Sequence, residues 1–245
     1  PDLQAAAVLS WRDDPVRFIN DCVWTQDPRL LSRNQPASIP LQLFDYQADL
    51  VRWFQDCYLD REHGVVEKSR DMGASWCVLG WFAWLWLFED GVQLALGSRK
   101  EALVDKKGDP DSLFERFRFI LRHLPPWLMP LEYDERIHDN FLLIRNPENG
   151  AVLSGEAGDN IGRGGRKTIY VVDESAHLER ASKVDAALSN NSDVIIHVSS
   201  ANGMNHFHRK ATSGAYRVKR LHWTLDPRKS PEWRDKQIAL YGPVT

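Results

Sequence analysis

The sequence predicts an α/β fold in which a mainly parallel central sheet is flanked by helices. Short runs of valine, isoleucine and leucine alternate with segments whose apolar residues recur at helical spacing. Continuous apolar runs are typical of strands that are covered on both faces, and their alternation with helices favours parallel pairing. The predicted core strands are one that follows Gly64 and then residues 92–96, 168–172 and 194–198.

Length and composition agree with one such domain. The 245 residues can bury a substantial core, and the hydrophobic content of 43% is ordinary. The net charge of −3 gives no global electrostatic reason to expect nucleic acid, so such a contact would need local basic patches. Three scattered cysteines without a C-x-x-C pair argue against a zinc site or disulfide framework and favour a reducing compartment.

The remaining segments are predicted from apolar periodicity and turn residues. The run from Trp76 to Phe88 is thirteen residues long, too short to span a bilayer, and is therefore predicted to be a core helix. Prolines and glycines mark the intervening turns. The expected elements are a helical extension over 1–40 that ends in loop 34–40, helices at 43–54, 116–124 and 231–241, a helix continuing through 175–178, and a hairpin joining 141–144 to 151–153.

Residues 65–76 carry the most informative pattern, V-V-E-K-S-R-D-M-G-A-S-W, which predicts a strand end, a tight loop and the first turn of an apolar helix. The usual phosphate-binding pattern is G-x-x-x-x-G-K-[ST]. Gly73 and Ser75 stand in their usual places, whereas Lys68 replaces the first glycine and Ala74 replaces the lysine. The pattern therefore predicts a phosphate loop whose cation has moved to its front.

Phosphate binding requires backbone N–H groups, a cation on the β and γ oxygens, and a hydroxyl group on Mg²⁺. Gly73 permits the close backbone approach, Ser75 is the predicted metal ligand, and Lys68 or Arg70 supplies the cation. The following helix would direct its positive N-terminus at the phosphates. The alternative is a strand–turn–helix with a chance basic turn.

A second motif follows about a hundred residues later, where residues 168–174 predict a buried strand that ends in two carboxylates. Open α/β sheets bind ligands at the carboxyl ends of their strands. Asp173 is expected to bind Mg²⁺ through water, and Glu174 to orient or deprotonate the attacking water. The alternative is a helix N-cap pair, which is compatible with catalysis. Together, the two motifs predict a P-loop NTPase of the ASCE type that uses ATP and Mg²⁺.

The chain resembles the large subunits of the DNA-packaging terminases of tailed bacteriophages. Four segments carry the resemblance in the same order: residues 44–47 (F-D-Y-Q), 68–75, 171–174 and 199–202 (S-S-A-N). They are similar to that family's adenine-recognition segment, variant phosphate loop, acidic motif and coupling motif. The resemblance covers roughly residues 40–225, the whole motor domain.

The resemblance implies roles for individual residues. Tyr46 and Gln47 would recognise adenine, Lys68 and Glu174 would be catalytic, and Ser199, Ser200 and Asn202 would couple hydrolysis to movement. The implied nucleotide-binding residues are Tyr46, Gln47, Lys68, Ser69, Arg70, Asp71, Met72, Gly73, Ala74 and Ser75, with Ser75 and Asp173 as metal ligands.

An arginine ahead of the acidic strand is implied to reach a neighbouring subunit. Arg163 lies in the glycine-rich segment 162–166 and is the predicted catalytic finger; Arg166 could serve instead, and a solvated loop is the alternative. Such a finger stabilises transition-state charge. The candidate DNA-phosphate contacts are Arg99, Lys100, Arg209 and Lys210, for which simple solvation is again the alternative.

The implied function is an ATP-driven motor that translocates double-stranded viral DNA into a procapsid. Its expected partners are the portal protein, the terminase small subunit and further copies of the chain in a ring, taken as a pentamer. A monomer is expected in isolation, in the host cytoplasm and transiently at the portal vertex, with no membrane association. Residues 41–225 would form the motor, and 226–245 would begin a linker toward a nuclease domain that this chain lacks, so no nuclease activity is expected.

Two alternatives from other classes stay open at this point. A helicase-like DNA-remodelling ATPase shares these motifs but would normally need a second motor-like domain, for which the chain has no room. A nucleotide-binding interaction module without turnover would explain the lysine missing from its usual place. The presence of Glu174 argues against that module, since binding alone needs no water-activating carboxylate.

Overall fold

An eight-stranded sheet forms the centre of the computed structural model, which describes residues 2–242. The helices are α1 (Asp2–Arg12), α2 (Pro15–Cys22), α3 (Asp45–Asp60), α4 (Ala74–Phe88), α5 (Glu101–Val104), α6 (Leu113–His123), α7 (Glu135–His138), α8 (Ala181–Asn191), α9 (His206–Thr212) and α10 (Pro231–Tyr241). The strands are β1 (Trp24–Gln26), β2 (Ser38–Pro40), β3 (Gly64–Lys68), β4 (Gln93–Ser98), β5 (Asp139–Asn140), β6 (Leu143–Arg145), β7 (Val152–Ala157), β8 (Lys167–Asp173), β9 (Ser192–Ser200) and β10 (Arg217–Leu221).

The sheet has the strand order β10-β3-β9-β8-β4-β7-β6-β5 and is parallel from β10 to β7, with β6 and β5 antiparallel at one edge. The predicted fold class is therefore confirmed. Strand β9 lies between β3 and β8 and pairs Ser200 with Lys68 and Val198 with Asp173. The phosphate loop and the acidic motif thus emerge at the same edge of the sheet, on either side of one strand.

Helix α4 is the predicted core helix, and its residues are buried around almost its whole circumference, as an all-apolar helix requires. The N-terminal helices cover one side of it. Trp84 Nε1 donates a hydrogen bond to the Trp11 carbonyl at 2.7 Å, and a Cβ at Gly80 would lie only 3.0 Å from Ile19. Helices α1 and α2 therefore contribute to the same core as the sheet.

The predicted helical extension over residues 1–40, which was expected to end in loop 34–40, is α-helical only as far as Cys22. Strands β1 and β2 pair there as a short antiparallel ribbon around a 3-10 turn, Pro28–Arg33, and β2 occupies part of the predicted loop 34–40. Pro28, Pro36 and Pro40 lack the N–H that a continuing helix needs, which gives the physical reason.

Two further boundaries differ from the sequence prediction, whereas the predicted hairpin is confirmed. The chain after Glu174 makes one 3-10 turn, Ser175–His177, instead of continuing as a helix, because Leu178 is already extended. Helix α6 begins three residues earlier than predicted, since the Ser112 hydroxyl accepts a hydrogen bond from the Glu115 N–H. The hairpin pairs Arg145 with Val152.

No helix between residues 2 and 242 is long and apolar enough to cross a membrane. The cysteines at 22, 57 and 77 are buried free thiols, and burial raises the pKa of each thiol to about 12. They are therefore core side chains rather than reactive groups.

Candidate nucleotide site

The phosphate loop, residues 69–73, is held against helix α3 through the carbonyl of Met72. Tyr46 Oη and Gln47 Nε2 both donate hydrogen bonds to the Met72 carbonyl, each at 3.1 Å. Gly73 caps α4 with a left-handed φ of 71°, and a Cβ at that position would contact Gln47 Nε2. Conformation and space therefore both require glycine here.

Two basic residues from distant parts of the chain bind residues 70–72 of the loop. Lys229 Nζ donates to the Arg70 carbonyl at 2.8 Å, to the Asp71 carbonyl at 3.3 Å and to Met72 Sδ at 3.3 Å. The Arg29 guanidinium binds the Asp71 carboxylate through two hydrogen bonds of 2.9 and 3.2 Å. Neither residue carries a local sequence signal, and the sequence analysis missed both.

These contacts determine the direction of the loop's N–H groups. In a trans peptide the C=O and the following N–H point in opposite directions. The anchored carbonyls of residues 70–72 therefore turn the N–H groups of residues 71–73 to the other side of the loop. Within residues 2–242, no acceptor takes a hydrogen bond from these three N–H groups. Left-handed residues at 71 and 73 give the loop the concave form that binds anions.

The predicted metal ligands meet where β8 and α4 approach each other. Ser75 Oγ donates to Asp173 Oδ2 at 3.0 Å, and Asp173 Oδ1 accepts from the Glu174 N–H at 3.1 Å. Burial raises the pKa of Asp173, and the nearby Lys68 ammonium opposes that rise. A hydroxyl and a carboxylate oxygen are the hard ligands that Mg²⁺ prefers, so the donor set fits this ion.

Lys68 faces the acidic motif across β9. Its Nζ lies 3.6 Å from Glu174 Oε1, and its side chain is only 10% exposed. On the other side of the same carboxylate, His177 Nε2 lies 3.5 Å from Glu174 Oε2, a neighbour that the sequence analysis missed. Glu174 has a left-handed φ of 54°, which costs energy for a residue other than glycine and is typical of functional turns. Arg70, the other candidate cation, is exposed.

The three predicted coupling residues end β9 and follow it. Ser199 is buried, and its Oγ has no hydrogen-bond partner within the described part of the chain. Ser200 lies level with Lys68. Asn202 Nδ2 donates to the Ala176 carbonyl at 3.2 Å, so the segment after β9 is attached to the turn that carries Glu174.

The same turn is also connected to helices α8 and α9 by a buried polar cluster that the sequence analysis missed. Ser175 Oγ lies 2.9 Å from His197 Nδ1, and His197 Nε2 lies 3.7 Å from Asp185 Oδ1. Burial lowers the pKa of His197 well below its usual value, which keeps the ring neutral. Asp185 in turn accepts from His206 and Lys210.

Lys210 therefore does not fit its predicted role as a DNA contact. The residue is 5% exposed, and its ammonium donates to Asp185 at 2.6 Å inside the chain. The other three candidates are exposed: Arg99 and Lys100 follow β4, and Arg209 lies on α9.

Arg163 lies in a loop, residues 158–166, that is exposed over residues 163–166 and whose backbone is held by one carboxylate. Glu156 accepts from the N–H groups of residues 162, 163 and 164 at 2.5, 3.3 and 2.6 Å, and from Tyr170 Oη at 2.9 Å. The loop leaves β7, four strands from β3, and leads into β8, two strands from β3. Arg163 is exposed on this loop.

Comparison with known proteins found no matching family model and no matching curated protein. Solved structures do match. The ATPase domain of the Thermus phage P74-26 large terminase aligns with a TM-score of 0.51 and 16% identity, over 74% of this chain and 83% of that one. The HK97 bacteriophage large terminase aligns with a TM-score of 0.62 and 13% identity, over 93% of this chain and 47% of that one.

This chain has the fold of phage large-terminase ATPase domains. A third terminase structure, from a thermophilic bacteriophage and in complex with ADP, aligns with a TM-score of 0.56 and 13% identity, over 82% of this chain. The chain spans about half the length of the two whole large terminases, 47% and 50%. The predicted terminase resemblance is confirmed at the level of the fold.

Proposed function

We propose that this chain is an ATP-hydrolysing motor that translocates double-stranded DNA in viral genome packaging. One observation carries the proposal: an anion-binding loop, an ammonium and a carboxylate–hydroxyl pair converge at one edge of the sheet. The ammonium is that of Lys68, 3.6 Å from Glu174, and the pair is Ser75 with Asp173 at 3.0 Å. These are the groups that phosphoryl transfer needs.

In this proposal the free N–H groups of residues 71–73 bind the phosphate oxygens, and Lys68 neutralises the β and γ oxygens. Tyr46 and Gln47, which hold the loop through Met72, lie beside the adenine site that the resemblance implies. Ser75 and Asp173 would hold Mg²⁺, and this ion would neutralise charge that develops on the phosphates.

Glu174 is the proposed base. Its carboxylate is paired with Lys68 in this structure, and a γ-phosphate that binds the ammonium would release it to face a water molecule. The water oxygen attacks the γ phosphorus, the bond from that phosphorus to the β–γ bridging oxygen breaks, and Glu174 accepts the water proton. His177 holds the carboxylate from the opposite side.

Movement of DNA is proposed from the terminase fold and from the exposed basic residues Arg99, Lys100 and Arg209. Asn202 would transmit nucleotide state because it is hydrogen-bonded to the turn that carries Glu174. A ring of copies, such as the pentamer expected at a portal, would let the exposed Arg163 act on the site of a neighbouring copy. The portal protein and terminase small subunit belong to the same proposal, with assembly in the host cytoplasm.

The test compares Glu174→Gln with Glu179→Gln, an exposed carboxylate five residues further on. We expect Glu174→Gln to bind Mg·ATP within a few-fold of wild type while hydrolysis falls by about 10²–10⁴-fold, since an amide cannot accept the proton. Glu179→Gln should match wild type. Stimulation by double-stranded but not single-stranded DNA would separate a packaging motor from a helicase.

Lys68→Ala and Arg70→Ala in the same assays identify the cation, and only Lys68→Ala should abolish turnover. Asp173→Ala should lose the Mg²⁺ dependence of ATP affinity. Normal hydrolysis by Glu174→Gln, or no ATP binding by the wild-type chain, would contradict the proposed function.

A further inference from the structure

We propose that Lys229 is a positioning residue for the nucleotide, which holds the phosphate loop in its anion-binding conformation from a segment after the last strand of the sheet. The inference rests on the proposed function and adds to it a residue outside every motif of the sequence. Lys229 lies behind the loop, on the carbonyl side, and touches no reacting atom in the proposed reaction.

The Lys229 ammonium is almost completely surrounded. Besides its bonds to the carbonyls of Arg70 and Asp71 and to Met72 Sδ, it lies 3.6 Å from Asp226 Oδ2 and 5.3 Å from the Trp233 ring. Its side chain is 6% exposed. An ammonium has three donors, and here three acceptors of the loop take them.

These contacts hold the backbone of Asp71, which has an unfavourable conformation. Asp71 has a left-handed φ of 60°, a conformation that is unfavourable for a residue with a Cβ. Lys229 binds the carbonyl of Arg70 and the carbonyl of Asp71 itself, so it holds both peptide planes that flank the strained residue. Without it, residue 71 could return to a right-handed or extended conformation, and the N–H groups of residues 71 and 72 would turn away from the phosphates.

The segment that carries Lys229 is itself fixed. Asp226 has a fully buried side chain, and its carboxylate accepts from Arg228 Nε at 2.9 Å and Arg228 Nη2 at 2.8 Å. Arg228 places its guanidinium 5.1 Å from the centre of the Phe44 ring, next to the proposed adenine site. Residues 226–229 therefore contact the nucleotide site at two points, the back of the phosphate loop and the aromatic segment before α3.

A purely structural role for Lys229 makes a different prediction from a positioning role. If the lysine only stabilised the fold, its loss would lower the melting temperature and leave the nucleotide affinity of the folded fraction unchanged. If it orients the loop, its loss would weaken nucleotide binding in a chain that remains folded. Turnover at saturating ATP would change little, because the reacting groups stay in place.

The experiment compares Lys229→Met, Lys229→Arg and the control Lys236→Met, an exposed lysine on α10. Dissociation constants for Mg·ATP and ADP are measured with a fluorescent analogue, together with kcat, KM and melting temperature. We expect Lys229→Met to raise the dissociation constant and KM at least ten-fold with kcat within about three-fold. Lys229→Arg, which keeps charged donors, should recover part of the affinity, and Lys236→Met should match wild type.

Limited trypsin digestion without nucleotide gives an independent measurement. The Arg70 carbonyl belongs to the bond that trypsin would cut, so its release should accelerate cleavage after Arg70 in Lys229→Met and not in Lys236→Met. Dissociation constants within two-fold of wild type, or unchanged cleavage, would overturn the inference while leaving the proposed function intact. A wild-type chain that binds no nucleotide would instead refute the proposed function, and the cleavage rates would still decide whether Lys229 holds the loop.

Discussion

The phosphate loop and the Arg163 loop differ in which of their backbone groups form hydrogen bonds within the chain. In the phosphate loop, side chains take the carbonyls of residues 70–72, and the N–H groups of residues 71–73 stay free. In the Arg163 loop, the Glu156 carboxylate takes the N–H groups of residues 162–164. The phosphate loop has N–H groups free for an anion from outside the chain. The N–H groups of the Arg163 loop are already bound to the chain's own Glu156 carboxylate.

This difference distinguishes the two loops, which also differ in glycine content, since residues 69–73 contain one glycine and residues 158–166 contain four. A concave set of N–H groups binds an external anion only when no internal carboxylate fills it. The Arg163 loop is fixed at its backbone and directs its arginine outward, which suits delivery of a charged side chain to another chain.

The largest expected effect comes from replacing Arg163. Under conditions where the chains assemble, Arg163→Ala should reduce ATP turnover by about 10³–10⁵-fold, because the neighbouring site loses a charge that stabilises the transition state. ATP binding by the isolated chain should not change, since the proposed role of Arg163 is to act on the transition state in a neighbouring chain's site. The measurement is the hydrolysis rate as a function of protein concentration.

A mixture of Arg163→Ala and Glu174→Gln chains supplies the matched control. Head-to-tail contacts would pair an intact arginine with an intact Glu174 at some sites, so activity should partly return. Wild-type turnover by Arg163→Ala alone, under assembling conditions, would remove the residue from catalysis and direct attention to Arg166.

Removing the internal anion should affect stability rather than nucleotide binding. Glu156→Gln weakens hydrogen bonds to a charged acceptor, which are worth about 1.5–3 kcal/mol, so we expect a melting temperature several degrees lower. ATP affinity of the isolated chain should be unchanged. Glu148→Gln, at an exposed position, provides the control for the lost charge. An unchanged melting temperature would mean that the carboxylate does not hold this loop.

The smallest expected effects come from one alanine in each loop. Gly73→Ala and Gly165→Ala both place a Cβ at positive φ, 71° and 96°, and each should cost about 1–2 kcal/mol of stability. Only at Gly73 would the new Cβ also meet Gln47, whereas nothing lies near Gly165. Gly73→Ala should therefore also weaken ATP binding about ten-fold, as measured by titration. Equal losses of affinity in both variants would refute this assignment of Gly73.

Local patterns in the sequence were enough to predict the fold class and the position of the site. The phosphate loop and the acidic strand are short runs whose chemistry and order are visible residue by residue, and the sheet places them on either side of β9. The contacts that shape the loop were not predictable. Arg29 and Lys229 lie 42 and 159 residues from their partners in the loop, and nothing near either residue marks the contact.

Burial explains another error of the sequence prediction. Lys210 and Arg209 are adjacent basic residues, and composition gives no reason to distinguish them. Their helix turns one to solvent and the other toward Asp185, a partner on a different helix. A charge on an amphipathic helix can be assigned to a surface only after the neighbouring elements are known.

The packing of α1 and α2 on helix α4 has a practical consequence for any shortened version of this protein. A chain cut at residue 41, the boundary that the motifs suggest, would lose the Ile19 side chain that fills the groove at Gly80 and the acceptor of the Trp84 indole. The exposed tryptophan-rich surface would favour self-association. Assays of the purified product would then measure aggregation instead of motor activity. The smallest unit suitable for expression is therefore expected to begin before α1, even though no residue of that segment is part of a nucleotide motif.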